Sequence, residues 1–113
     1  MVNVYLKLWN SNIDIMEKKA NKYKLKLELL ELLRPNDTIY EPIELEFGNH
    51  DNIFEIIERM KKRNRFKTEQ DSVEFAIGLK LFSEVMLKNK DNPLFEDFRP
   101  AFGAMMKKLK SAE

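Results

Sequence analysis

The sequence predicts an α+β domain in which a β-hairpin precedes three to four α-helices, a small two-layer arrangement with element order β-β-α-α-α. Three observations carry that reading. Two runs in the first half alternate apolar and charged residues with the period of two expected of half-buried strands. After residue 50 the apolar residues recur instead at three- and four-residue spacing, the period of a helix. The chain has 113 residues, 43% hydrophobic and 35% charged, which is enough for one core and too little for two.

The first strand is read from Tyr23, Leu25, Leu27 and Leu29, which alternate with Lys24, Lys26 and Glu28. Its end is open, because residues 30–33 are good helix material. Residues 34–37, Arg-Pro-Asn-Asp, have turn chemistry. The second strand places Ile43, Leu45 and Phe47 on one face and Glu44 and Glu46 on the other, with Pro42 at its start or on an open edge. A short turn between the two makes a hairpin, and charge selects its register. Opposing Tyr23 to Phe47, Leu25 to Leu45 and Leu27 to Ile43 also opposes Lys24 to Glu46 and Lys26 to Glu44. A slip of two residues would set Glu28 against Glu44.

Residues 48–51, Gly-Asn-His-Asp, close the strand and supply caps for the first helix. Its apolar face is Ile53, Ile56, Ile57 and Met60, and acids at its start and bases at its end suit the helix dipole. Thr68, with Asp71 three residues on, resembles a capping box that opens a second helix reaching Lys88. That helix carries two apolar stripes, Phe75–Leu79–Phe82–Met86 and Val73–Ile77–Leu81 with Ala76. A helix apolar on two faces is expected to be sandwiched or covered by another subunit. Gly78 within it costs roughly 1 kcal/mol relative to alanine, so close packing is expected there. Asn92 and Pro93 open a short helical segment, Arg99 and Pro100 interrupt it, and Phe102, Met105, Met106 and Leu109 continue as a last helix. Residues 1–15 are expected to form a peripheral extension, with residues 16–113 as the single domain and Met16 as an alternative start.

Composition removes whole classes of function. The chain has no cysteine and one histidine, which excludes disulfides, thiolate catalysis and multi-histidine or cysteine metal sites within one chain. No run of about 18 apolar residues is present to span a membrane, and nothing at the N-terminus has the form of an export signal. The expected compartment is the cytoplasm. Net charge is +1, so bulk charge names no partner.

Candidate functional residues are few. His50 beside Asp51 has the chemistry of a general base or ligand, but its place in a strand-to-helix connection is explained by ordering the helix start. The acids of residues 28–58 lack any divalent-metal spacing. Arg59, Lys61, Lys62, Arg63, Arg65 and Lys67 form a basic run with Phe66 interleaved, as on some single-strand-binding surfaces, although cations at a helix C-terminus are expected for dipole reasons. Phe95, Phe98, Phe102, Met105 and Met106 suit either an adaptable groove or a core. No phosphate loop, dinucleotide fingerprint or catalytic triad is present, so no catalytic, cofactor-binding or metal-binding residue is assigned and no cofactor is expected.

The strings EFGNHDNIF over residues 46–54, GLKLFSEVMLKN over 78–89, NPLF over 92–95 and FGAMMKKL over 102–109 resemble a small bacterial family of domains of unknown function, DUF3861. The resemblance covers residues 22–110 or so in collinear order. It implies a small cytosolic α+β protein and brings no activity, cofactor or site residue with it.

The resulting expectation is a non-enzymatic protein-interaction or regulatory module, homodimeric through its second helix or hairpin edge. Its candidate interaction surface is Arg59, Lys62, Arg63, Arg65 and His50. The alternative is nucleic-acid association through residues 59–67. A third reading is a small-molecule or enzymatic pocket that uses His50.

Overall fold

The computed structural model describes residues 20–111, so the expected extension at residues 1–15 lies outside the described residues. Strand β1 (Asn21–Leu27) pairs antiparallel with β2 (Ile43–Asn49). Helices α1 (Ile53–Arg63) and α2 (Glu69–Lys88), a single 3-10 turn (Pro93–Phe95) and helix α3 (Arg99–Lys110) follow. This is the α+β order read from the sequence.

The register is the one that satisfies both faces: Tyr23 opposes Phe47, Lys24 opposes Glu46, Leu25 opposes Leu45, Lys26 opposes Glu44 and Leu27 opposes Ile43. The ion pair it makes is diagonal, however. Lys24 Nζ lies 3.2 Å from Glu44, two residues along from the directly opposed Glu46, a reach that strand twist makes available to long side chains.

The connection between the strands is not the short turn expected. Residues 28–42 form an irregular arm, closed at its tip by a bond from Asp37 N–H to the Arg34 carbonyl at 3.0 Å. The leucines of residues 29–33 extend neither strand nor helix, because no layer lies against them: Leu30 and Leu33 are each 92% exposed. The helices cover the hairpin at its base alone. Tyr23 and Phe47 stack with ring centroids 5.4 Å apart and pack on the core, whereas Leu27 and Ile43 at the far end stand in solvent.

The core is Ile53, Ile57 and Met60 of α1 against Ala76 and Leu79 of α2, with Phe102, Met105, Met106 and Leu109 of α3 closing over it. The first two helices begin at side-chain caps. Asn52, rather than the preceding residues 48–51, caps α1, its side chain accepting from the N–H groups of Phe54 and Glu55. Thr68 caps α2 through the N–H of Asp71 at 3.0 Å. Asn64 ends α1 in the left-handed conformation, φ 58°, which asparagine tolerates better than most residues.

Three expectations about the helices change. The buried line of α2 is Ser72, Ala76, Leu79 and Met86: it takes Leu79 and Met86 from the first stripe and Ala76 from the second, leaving Phe82 exposed and Val73, Ile77 and Leu81 half-buried. An added Cβ at Gly78 would meet nothing within 4 Å, so no close packing occurs there among the described residues; that side of α2 faces away from α1. Finally, Arg99 and Pro100 open α3 instead of interrupting a helix. Proline in a first helical turn forfeits only an N–H that has no intrahelical partner.

Candidate binding cleft and interaction surface

Ile56, Arg59, Met60 and Arg63 recur at three- and four-residue spacing on one face of α1, and that face forms a wall of a cleft of about 390 Å3. Leu79 and Lys80 of α2 form a second wall, and Met106, Leu109 and Lys110 of α3 a third. The floor is apolar and the rim basic. One acid, Asp51, stands at the rim, where its carboxylate receives a 2.5 Å hydrogen bond from Lys80 Nζ.

That bond is the main reason the Asp51 carboxyl is held below the usual aspartate range. Partial burial opposes it, and the positive charges of Lys80, His50 and Arg59 add to it. Lys80 is thereby committed to Asp51, and Arg63 donates to the Leu109 carbonyl. Arg59 and Lys110 make no ion pair among the described residues and remain as the cations able to receive an anionic group.

The basic run is therefore not one surface. Arg59 and Arg63 face the cleft. Lys61 pairs with Glu58 at 3.4 Å, and Lys62 is exposed. Arg65 donates to the carbonyls of Lys108 at 3.0 Å and of Leu109 and Ser111 at 3.5 Å. Both arginines thus bond the last carbonyls of α3, groups that the helix itself leaves without partners. Phe66 is not presented for stacking on a base: it lies 4.9 Å from Phe75, centroid to centroid, and packs on the core.

His50 is exposed and outside the cleft lining. Its neighbours have structural duties: the buried Asn49 accepts from the Asp51 N–H at 3.0 Å, and Asn52 is a cap. Among the described residues no group of three His, Asp or Glu side chains is placed to hold a metal ion, and no helix is long and apolar enough to cross a membrane.

Sequence reasoning missed Lys80, Asp51, Met106 and Leu109 as neighbours. One signal was visible: Lys80 is the lone charge in the stretch of α2 between Phe75 and Ser83, a position that asks for a partner.

The second feature is the arm. Leu27, Leu30, Leu33, Ile39, Tyr40 and Ile43 are all between 58% and 92% exposed, and the arm's own groove has Glu28, Asp37 and Glu41 as its charged residues.

No curated protein matches the chain. Among solved structures it resembles a protein of unknown function from Pectobacterium atrosepticum, with a TM-score of 0.68 and 31% identity over 80% of this chain and 97% of that one. A family model described as a domain of unknown function with a solved structure matches residues 21–111, the stretch that holds the hairpin, the cleft and all three helices. By that match the chain belongs to the DUF3861 family.

Proposed function

We propose that the chain is a cytoplasmic, non-enzymatic protein-interaction or regulatory module whose recognition element is the arm of residues 27–43. The observation that carries this is the concentration of exposed leucine, isoleucine and tyrosine on one projection. Contiguous apolar patches of that kind are uncommon on isolated soluble domains and mark contact surfaces when they occur. Acidic residues around them supply the polar rim of such a surface.

Nucleic-acid association loses support by the same accounting. Arg63 and Arg65 bond the end of α3, Phe66 belongs to the core, and the projecting arm is acidic.

The test compares the wild-type chain with Leu30→Glu/Leu33→Glu, whose altered residues are fully exposed and spare the fold. Capture from the native cell, read by mass spectrometry, is expected to give a defined protein set that the variant loses. An identical set from both would overturn the assignment to the arm.

A further inference from the structure

We infer that the arm of one copy docks into the basic cleft of a second copy, so that two chains pair by exchanging arms. The inference rests on the arm being a recognition element and names its occupant.

The argument starts from charge. The chain is nearly neutral, at +1, yet its charges are sorted. The arm carries Glu28, Glu31, Asp37 and Glu41 against one base, Arg34, around exposed leucines. The cleft carries Arg59, Arg63, Lys80 and Lys110 against one acid, Asp51, around an apolar floor. Each surface is the chemical complement of the other: apolar centre to apolar centre, acidic rim to basic rim.

In a single copy the two do not meet. Leu30 and Leu33 are each 92% exposed, and neither the arm's acids nor Arg59 and Lys110 have ion-pair partners among the described residues. The cleft volume, about 390 Å3, falls in the range of roughly 300–1,000 Å3 typical of sites that enclose a compact apolar group. A foreign acidic peptide would satisfy the cleft and leave the arm uncovered. A second copy satisfies both, and a two-fold pairing makes the contact twice.

Charge reversal tests this. Glu28, Glu31, Arg59 and Lys110 are all exposed, so replacing them spares the core, and circular dichroism melts verify that each variant folds. Sedimentation of the wild type at micromolar concentration is expected to give a species of twice the 13.5 kDa chain mass that weakens as salt rises. Arg59→Glu/Lys110→Glu and Glu28→Lys/Glu31→Lys are each expected to dissociate by about tenfold or more, since like charges then face each other.

Mixing the two variants is expected to restore the pair, because every arm then meets a cleft of opposite sign. A wild-type monomer at every concentration, a dimer indifferent to both reversals, or a failure of the mixture to reassociate would each overturn the exchange. A monomeric wild type whose captured partners are nevertheless lost in Leu30→Glu/Leu33→Glu would overturn self-docking alone and leave the interaction reading in place.

Discussion

The phenolic oxygen of Tyr23 accepts a hydrogen bond from the backbone N–H of Ile53 at 3.0 Å and donates its own proton to the Asp51 carbonyl at 2.9 Å. One side chain from the first strand thereby satisfies the first N–H of α1 and fixes the turn before it. Asn52 takes the next two N–H groups, and Asn21 adds a 3.2 Å bond to the same Asp51 carbonyl. The hairpin is held to the helices at this junction, which is why its base is ordered against the core while its tip projects.

Tyr23→Phe keeps the ring stack on Phe47 and removes both bonds. It leaves the part-buried Ile53 N–H without its partner, at a cost of about 1–3 kcal/mol. A fall in the thermal midpoint of several degrees is expected, roughly 4–8 °C per kcal/mol for a domain of this size. A midpoint unchanged within one degree would mean that water replaces the phenol.

Acid should weaken the junction through Asp51. Its carboxyl is depressed in the folded chain, first by the Lys80 hydrogen bond. The bond's contribution is therefore full above the unfolded aspartate value of about 3.9 and is lost as pH falls through the lower folded value. Because the Asp51 side chain is 53% exposed, solvent screening keeps the effect below about 1 kcal/mol. Lys80→Met is expected to flatten the stability profile below pH 4, measured by urea melts across the acid range. A profile of unchanged slope would show that the pair does not set the Asp51 titration.

The Arg63 and Arg65 contacts to the end of α3 predict a local effect. Arg63→Ala/Arg65→Ala should speed amide hydrogen exchange across residues 102–111 while leaving α1 protected, because among the described residues it is the α3 end that loses donors. Lysine at both sites should restore little, since it lacks the planar fork that reaches several carbonyls. Faster exchange spread evenly over all helices would contradict the capping role.

The same contacts bear on nucleic acid. With Arg63 and Arg65 engaged, binding of DNA or RNA in near-physiological salt is expected to be no tighter than the nonspecific range, about 10⁻⁴–10⁻⁶ M. Submicromolar affinity that falls steeply with salt and disappears with Lys62→Glu/Arg63→Glu would reverse that expectation.

What was legible in the sequence follows from how local each signal is. The hairpin register rests on opposed side chains, Lys24 with Glu46 and Leu25 with Leu45, whose types alone exclude a slip. The caps at Thr68 and Asn92 are bonds two or three residues long. The turn at residues 34–37 was legible, but residues 29–33 were not, because leucine-rich segments take strand or helix according to the layer that covers them, and here none does. The cleft was invisible for a related reason: Asp51 meets Lys80 across 29 positions, and Arg63 meets Leu109 across 46. Arg59, Lys62, Arg63 and Arg65 looked alike in a row, and helix geometry gave them different work.

Gly78 separates the two surfaces offered for self-association. It lies within α2, where alanine would be better by roughly 1 kcal/mol, and nothing among the described residues lies within 4 Å of an added Cβ. In the isolated chain Gly78→Ala is therefore expected to stabilise, by about 0.5–1 kcal/mol in a urea melt, through reduced backbone freedom of the unfolded state. If chains pair by exchanging arms, this face of α2 stays open, and the substitution leaves the association constant unchanged. If they pair instead through α2, with Phe82 and Val85 on the same exposed side, the glycine is the point of close approach. Alanine then pushes the helices apart and weakens the dimer while the fold itself gains. Measuring stability and association on one variant thus distinguishes the arm from the second helix, and a loss in association would place the contact on α2.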